Sequence, residues 1–480
     1  MSVSNHTKLV FFFLIFIFST LTIRAQDSTV TYKASILVAG STGQTPFWLH
    51  ANKNGTIPLN GTFANGQFGL NKVYNPSNPR VLQWSAGVEL ITNYSNRVDV
   101  FLTDLFVAGK AGPVELMIGQ KKNMTGLVDS LLTSGSLAIS GNSRPMPRVQ
   151  IAIPDFFPLG FTNDFLAVKA SYSDGILGGS RIVYGSTDYV SSTYLHQKSF
   201  YLRIGNHRNK INILTGLNHQ VIWGGEEQIM PVYNLNRSRA YWHVITGKTL
   251  DFKKIGTHFG TIDLAATYKG RNWNYYIYRQ NIYETGSLFK VNNFSDGLNG
   301  IKIQRKNQIY KSGNNLVVNS FLVEFLSTQS QTNANPAFGL SIFEKGNYFN
   351  SLIYNNGWSY KDKGLGTPLS PSQSLTNDNL PKSNTEFTNN NRITAIHSGV
   401  SASWLNTMIT VRGTYSVNKG TYVNPFPNSL NQVSLGINAE KRIKQLNYTT
   451  VTAGLYSDFG KLYPNTTSFT IGVRRSGYIN

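Results

Sequence analysis

Three clusters in the 480-residue sequence combine aromatic rings with charged side chains. Such clusters suit saccharides, because a flat ring packs on the C–H face of a sugar and a planar cationic donor grips a carboxylate. The residues that we predict to contact a ligand are Trp223 and Glu226 of the first cluster, with His219 nearby; Arg237, Arg239 and Trp242 of the second; and Trp358, Tyr360, Lys361 and Lys363 of the third. The alternative for each residue alone is a place in an interfacial girdle or in the lining of a membrane barrel.

Sequence motifs of catalysis and metal binding are missing. There is no Gly-x-Ser-x-Gly, no His-Glu-x-x-His and no phosphate-binding loop. His219 with Glu226 and Glu227 matches no standard spacing of metal ligands, and His397-Ser398-Gly399 lacks the His-x-Ser-Asn-Gly arrangement of barrel lipases, so we expect His397 in the wall. With no cysteine, thiol chemistry is excluded as well. We therefore predict a protein that is not an enzyme and uses neither a cofactor nor a metal.

Strands must position these clusters, and the signal for strands is clearest near the C-terminus. Apolar residues alternate there with small polar ones in four successive segments, 409–415, 432–439, 450–455 and 468–474. One apolar and one polar face, repeated hairpin after hairpin, is typical of a barrel with lipid outside and water inside. Weaker segments of the same kind begin at Leu82 and include Tyr348 to Tyr354.

The N-terminus predicts export. Lys8 precedes an apolar run from Leu9 to Phe18, and Ala25 offers a cleavage site, so we expect a signal peptide over residues 1–25. No later stretch is long and apolar enough for a spanning helix, which means that the mature chain, 26–480, must cross a membrane as strands. A net charge of +21 favours polyanionic partners, and outside the cell these are acidic polysaccharides and lipopolysaccharide phosphates rather than nucleic acid.

Two regions interrupt the strand pattern. Met124 to Ser134 has the leucine spacing of a short amphipathic helix, and prolines follow it as far as Pro158. We expect a non-barrel insert near residues 123–160 on the periplasmic side, with this helix outside the wall. Residues 361–391, rich in Pro, Ser, Asn and Gly, predict a long extracellular loop on the opposite side.

Several phrases in the sequence resemble one known family. They are Thr45 to Pro58, Ser134 to Pro154, Leu217 to Gly225, and Tyr348 to Tyr360 with Gly364 to Leu369. In this order they resemble the Wzi capsule-assembly family of outer-membrane β-barrel proteins. The resemblance implies a barrel of about 18 strands with a periplasmic helical element, and a role as a surface lectin that attaches capsular polysaccharide. The ending Tyr478-Ile479-Asn480 departs from the aromatic last residue of many such barrels.

The sequence thus predicts an all-β fold, a transmembrane antiparallel β-barrel in the outer membrane of a Gram-negative bacterium. The predicted function is noncovalent binding of exported capsular polysaccharide, which helps to assemble or attach the capsule. Capsular or other extracellular polysaccharide, outer-membrane lipids and the capsule export machinery are the expected partners. A porin or ligand-specific channel is the alternative, because it would share the barrel and its charge; an enzyme barrel ranks third.

Overall fold

The computed structural model describes residues 29–75, 81–251, 253–284, 294–308, 313–331 and 346–479, and the predicted signal peptide lies outside them. Its main element is an antiparallel sheet of 18 strands. In chain order these are β1 Val30–Ser41, β2 Phe63–Lys72, β3 Leu82–Tyr94, β4 Val98–Ala111, β5 Val114–Gln120, β6 Arg148–Pro158, β7 Leu166–Arg181, β8 Tyr189–Ile204, β9 Ile211–Trp223, β10 Thr257–Lys269, β11 Trp273–Glu284, β12 Gly297–Arg305, β13 Val317–Ser327, β14 Ile393–Trp404, β15 Thr407–Gly420, β16 Pro425–Ile443, β17 Thr449–Gly460 and β18 Thr466–Tyr478.

The sheet closes on itself, because β1 pairs with both β2 and β18. Thr31 lies opposite Tyr478 and Ser41 opposite Ser468. Closure gives every strand two neighbours and removes the exposed edges that would otherwise carry unpaired backbone groups. The predicted barrel and its strand number are confirmed.

The two ends of the barrel differ in the length of their connections. The end that holds Val30 and Tyr478 has mostly tight turns, such as residues 112–113 and 405–406, and we call it the short-turn rim. The other end, the long-loop rim, carries the connections 42–62, 121–147, 224–256 and 328–392.

Alternation along the strands separates an apolar outer face from a polar lumen. On β18, Phe469, Ile471 and Val473 are exposed, whereas Ser468 and Thr470 are buried inside. The four C-terminal segments predicted from alternation all lie in barrel strands, β15 to β18. Exposed aromatic residues ring the short-turn rim, as interfacial girdles do in membrane barrels. They include Trp84, Phe161, Phe165, Tyr268, Trp404, Tyr448 and Tyr478.

Helices are few and short in the described ranges. They are α1 Phe47–His50, α2 Glu226–Ile229 and α3 Arg237–Thr246, with 3-10 turns at Gly160–Thr162, Pro231–Tyr233 and Lys444–Leu446. None of the helices among the described residues has the length and apolar character needed to cross a membrane. Two small hairpins, Thr249–Leu250 with Lys253–Lys254 and Ser359–Tyr360 with Lys363–Gly364, complete the regular structure.

The helix predicted over residues 124–134 does not form. The segment is irregular and lies inside the barrel, with Leu127 and Leu132 buried. Its amides bond to carboxylates instead of to preceding carbonyls: Leu127 N donates to Asp263 Oδ2 over 2.8 Å, and Leu132 N to Asp129 Oδ2 over 2.6 Å. These bonds satisfy the backbone without helical geometry, so the leucine spacing was misleading.

The predicted limits and side of the insert are also corrected. Residues 148–158 form β6, because a register shift between Ile153 and Phe157 accommodates Pro154, as bulges do in strands. The part of the predicted insert that leaves the sheet before β6 is residues 121–147. Five strands precede this insert, an odd number, so it starts at the long-loop rim, like the loop that holds residues 361–391. The two regions were predicted on opposite sides, and that prediction is wrong.

Three connections from the long-loop rim fold into the lumen and form what we call the plug: residues 42–62, 121–147 and 346–392. Its apolar core includes Trp48, Leu132, Leu137, Phe349 and Trp358. The segment from Tyr348 to Tyr354, predicted as a strand, belongs to this core and not to the wall. Tyr348 and Tyr354 are both almost fully buried in it.

A cationic cleft at the long-loop rim

The plug is held by polar side chains of the barrel wall. Glu324 on β13 accepts hydrogen bonds from Thr133 Oγ1 and Ser134 N, both over 2.6 Å, and one from the Tyr278 hydroxyl. Asp458 on β17 accepts one from Phe47 N over 2.8 Å. Since a buried carboxylate is stabilised only when its oxygens are bonded, these contacts fix the position of the plug.

Other wall residues bond to plug carbonyls. His397 on β14 lies 2.7 Å from Leu132 O through Nε2, and Arg412 on β15 donates to Leu131 O over 2.6 Å. His397 also lies 2.9 Å from Thr414 Oγ1 through Nδ1. His397 is therefore a buried wall residue, as the sequence predicted.

The three plug segments also bond to each other. Asn54 N donates to Gly141 O over 2.7 Å, which joins the first segment to the second. Ser140 N donates to Leu365 O over 2.9 Å and Ser140 Oγ to Gly366 O over 2.6 Å, which joins the second to the third. The phrases singled out in the sequence near Thr45, Ser134 and Gly364 thus meet in one body inside the barrel.

A cleft of about 230 Å³ opens where the plug meets the hairpin between β3 and β4 at the long-loop rim. Four cationic side chains and two carboxylates line it, together with uncharged residues between Gly55 and Asn60 and with Asn93 and Ser95. The charged residues are Arg97, Asp99, Arg144, Lys361, Asp362 and Lys363. The excess of cations gives this cleft the sign that an anionic ligand requires.

Arg144 is fixed in this cleft by two contacts. Its Nη2 donates to Asp99 Oδ2 over 2.9 Å, and its guanidinium lies 3.3 Å from the centre of the Phe101 ring. Gly55 allows the close approach: it has φ of +62°, and a Cβ there would lie 2.7 Å from Arg144 Cγ. The guanidinium is therefore held at the cleft before any ligand arrives.

Lys363 is a buried cation without a hydrogen-bond partner. The residue is 8% exposed, and its Nζ has no acceptor within hydrogen-bond distance among the described residues. Burial, together with the nearby charge of Arg144, lowers the pKa of Lys363 from 10.5 to about 7. An anion in the cleft would stabilise the charged form of Lys363, so the Lys363 ammonium group is suited to bind negative charge.

The rest of the predicted third cluster lies beside the cleft. Lys361 is exposed, and its Nζ lies 5.8 Å from the centre of the half-buried Tyr360 ring. Trp358 is 2% exposed and packs against Phe259 at 5.2 Å between ring centres. Its burial leaves no ring face for a sugar in this conformation, so Trp358 supports the hairpin that presents Tyr360 and Lys361.

The second predicted cluster lies on the outside of the barrel, far along the chain from the plug segments. We call residues 224–251 the strap. Leu235, Ala240 and Val244 of the strap pack with Val221 and Trp223 of β9. Trp223 is buried between Tyr194 and Tyr241, whereas Arg237, Arg239 and Trp242 are exposed on the strap.

The structure does not bring His219 and Glu226 to one site. His219 Nε2 lies 3.0 Å from His258 Nδ1 of β10, and its ring stacks on Tyr283. Glu226 accepts from Gly224 N over 2.8 Å and from the Tyr354 hydroxyl over 3.3 Å. Burial raises the pKa of Glu226 above its usual range. No group of three metal-ligating side chains occurs in the described ranges.

Sequence reasoning missed Arg97, Asp99 and Arg144 as cleft residues. Arg144 lies in the Asn142-Ser143-Arg144-Pro145 phrase that carried the family resemblance, and this was the only signal for it. A second cavity of about 300 Å³, between the first two plug segments and the wall, was not foreseen either. Its cationic residues are Lys53, Lys122 and Arg412, and Lys122 is paired with Glu89.

Comparison with known proteins supports the fold. No protein-family model and no curated protein matches the sequence. Among solved structures, the chain is similar to Wzi, an Escherichia coli outer-membrane protein involved in group 1 capsule assembly and described as a carbohydrate-binding β-barrel. The TM-score is 0.59 at 14% identity, over 99% of this chain and 89% of that one.

Two other bacterial proteins of known structure resemble the chain less. Acinetobacter baumannii OccAB4 gives a TM-score of 0.46 at 9% identity over 94% of this chain and 98% of its own. Pseudomonas aeruginosa OccK9 gives 0.47 at 7% identity over 93% and 97%. The closed barrel with its apolar outer face and aromatic girdle places the protein in the outer membrane of a Gram-negative bacterium.

Proposed function

We propose that this protein binds an anionic extracellular polysaccharide in the cationic cleft and helps to hold a capsule at the cell surface. The long-loop rim then faces outward and the short-turn rim faces the periplasm, as in other outer-membrane barrels. The observation that carries the proposal is the cleft itself, with Arg144 held by Asp99 and the buried, unpaired Lys363 beside it.

The filled lumen supports a binding role over a channel. An open porin keeps a polar, water-filled lumen, whereas this barrel contains an apolar core of plug residues packed against the inner wall. Leu322 and Leu326 of β13, for example, belong to the same buried cluster as Leu132 and Leu137 of the plug. A plugged barrel presents a fixed surface at its mouth, which is what noncovalent retention of a long polymer requires. The solved barrel named for carbohydrate binding has the same overall fold.

The test is binding of purified protein to capsular polysaccharide from its own strain. The double variant Lys361→Gln, Lys363→Gln removes two of the four cleft cations. We expect its affinity to fall roughly tenfold at low salt, at about 0.5–1 kcal/mol for each screened cation. Lys382→Gln is the matched control, because Lys382 lies in the same loop, pairs with Asp378 and stands outside the cleft.

Two results would count against the proposal. One is equal binding by the parent protein and the double variant while both migrate as folded barrels. The other is a large, steady conductance of the parent in planar bilayers, because that result would favour the porin or ligand-specific channel.

A further inference from the structure

The strap covers polar side chains that the outer face of a membrane barrel would otherwise expose to lipid. On β7 and β8 these are Tyr172, Asp174, His196 and Lys198, which alternate along the strands with lumen residues such as Gln197. Tyr241 of α3 donates from its hydroxyl to Asp174 Oδ2 over 2.6 Å. Lys198 Nζ donates to Ile245 O over 2.5 Å. Helix α3 of the strap therefore lies against the outer wall.

The covered patch lies between the apolar belt and the long-loop rim. On β8 and on the neighbouring β9 and β10, several outward residues nearer the short-turn rim are apolar and exposed, among them Phe200, Ile213 and Leu264. Nearer the long-loop rim, Asp174, His196 and His258 lie in one row across the strands and are polar. The strap therefore runs at the level where lipid chains give way to head groups.

The exposed surface of the strap is cationic. Arg237 and Arg239 begin α3 and are exposed, and neither guanidinium has a carboxylate within ion-pair distance among the described residues. Lys248 follows the helix and is exposed as well. The Arg237 guanidinium lies 5.7 Å from the centre of the Tyr194 ring on the wall, so its side chain lies along the barrel surface.

Apolar side chains stand beside these cations. Trp242 is 57% exposed on α3, and Val232 is 90% exposed in the turn before it. Tryptophan with arginine is the combination that anchors protein segments at a membrane surface, because the ring enters the boundary region while the guanidinium reaches phosphate. A glycan site would need ring faces and donors gathered in a cleft, whereas Trp242 and Val232 are exposed on the outside of the barrel.

We propose that the strap is a docking surface for phosphorylated lipid head groups of the outer leaflet, with Arg237 and Arg239 binding phosphate and Trp242 entering the boundary between head groups and acyl chains. The surface is separate from the cationic cleft and shares no residue with it. This contact attaches the long-loop end of the barrel to the surrounding lipid on the side that the strap covers.

The experiment measures binding of bis-phosphorylated lipid A to the full-length protein in detergent. We expect the double variant Arg237→Gln, Arg239→Gln to bind roughly tenfold more weakly than the parent. Trp242→Ala should weaken the binding of lipid A by a smaller factor than the double variant does. The control variant Arg271→Gln, Lys444→Gln removes the same charge from exposed residues at the short-turn rim and should bind within about twofold of the parent.

Further arms separate the sources of phosphate. Dephosphorylated lipid A should bind weakly, and inorganic phosphate should not compete at the concentrations at which lipid A does. Hydrogen exchange of the α3 amides should slow when lipid A is added to the parent, which tests the surface without any substitution. The proposal is overturned if lipid A leaves that exchange unchanged, if the double variant binds like the parent, or if the control loses as much. It also fails if dephosphorylated lipid A binds equally, if inorganic phosphate competes equally, or if capsular polysaccharide protects α3 in place of lipid.

Neither readout depends on the cationic cleft. If the strap does not bind lipid A, the proposal that the cleft binds a glycan is unaffected. If the cleft does not bind a glycan, the proposal that the strap binds lipid is likewise unaffected.

Discussion

The plug and the strap leave the barrel at the same rim, and although Glu226 and Ile229 at the start of the strap contact the plug, α3 folds to the opposite side of the wall. The plug enters the lumen, where Glu324, Asp263 and Asp458 offer buried acceptors to its backbone amides. The strap lies on the outside, where Asp174 and Lys198 bond to Tyr241 and Ile245 of α3. Each of these connections thus folds against the face of the wall, inner or outer, that offers it polar side chains.

Among the substitutions that test this difference between plug and strap, Glu324→Ala should have the largest effect. The substitution leaves the Thr133 hydroxyl, the Ser134 amide and the Tyr278 hydroxyl without their buried acceptor, at a cost of about 3 kcal/mol. We expect the plug to loosen, so that single-channel conductance and protease cleavage within residues 121–147 both rise.

Glu324→Gln keeps two of the acceptor contacts and should show a smaller change. Glu227→Ala, an exposed carboxylate of the strap, should leave conductance unchanged. A Glu324→Ala protein with the conductance and cleavage pattern of the parent would mean that the wall carboxylate does not hold the plug.

The strap should respond to loss of its own core. Leu235 is fully buried against β9, and Leu235→Ala should cost about 2 kcal/mol, the lower end for such a substitution because the strap packs on one side only. Hydrogen exchange in α3 should become faster while exchange in residues 121–147 stays the same. Val232→Ala, at a site 90% exposed in the same segment, is the control and should change neither. Faster exchange in both segments would show that plug and strap are coupled.

A moderate effect is expected on the pH dependence of glycan binding. Lys363 has a pKa of about 7, so it is largely neutral above that pH, and an anion in the cleft favours its protonated form. Binding of a carboxylated glycan should strengthen by roughly fivefold as the pH falls from about 9 to about 6. Lys363→Met should remove this dependence, which binding measured over a pH series would reveal; Lys363→Arg should bind at all these pH values. His50 does not contribute, because burial keeps its pKa well below 6.5.

The same group predicts the sign of a stability change. Since the folded pKa lies below 10.5, the unfolded chain binds more protons between these values, and stability falls as the pH drops from 10.5 towards 7. Lys363→Met should flatten that part of the curve. An unchanged curve would indicate that Lys363 is charged in the folded protein.

The smallest effect should separate ring contact from charge at the mouth of the cleft. Tyr360→Ala should weaken glycan binding by roughly 0.5–1 kcal/mol at every salt concentration, because ring packing is not screened. Lys361→Gln should matter mainly at low salt. Glycan affinity measured across a salt series checks both, and parallel salt curves for the two variants would contradict this division.

The barrel could be predicted from the sequence because the alternation of apolar and polar residues in a strand is a local pattern. In the four C-terminal segments of β15 to β18, the outward residues are apolar or glycine and the inward ones are polar or glycine, so alternation alone identifies these strands. β6 was missed because Pro154 reads as a strand breaker, whereas a bulge accommodates it. β1 and β2 were missed as well, since their lumen faces meet the plug and alternate less cleanly.

The site was harder to predict, because its contacts join distant parts of the chain. Lys361 and Lys363 were recognised as neighbours in sequence, but Arg144 reaches them only through the folded plug. Trp358 and Tyr360 have similar side chains two residues apart, yet one is core and the other lies at the mouth. Nothing local distinguishes them, since only the packing of Trp358 on Phe259 decides which ring is covered.

The bond between Phe47 and Asp458 spans 411 residues, and β1 must also meet β18 before the cylinder can close. The interior therefore cannot be completed on a partly synthesised chain. Before closure, β1 has an unpaired edge, and that edge must be protected from other chains for as long as the rest of the polypeptide takes to arrive. The core inside the barrel needs residues from both the first and the last strands. Packing of the plug and closure of the barrel therefore become one late, cooperative event in the biogenesis of this protein.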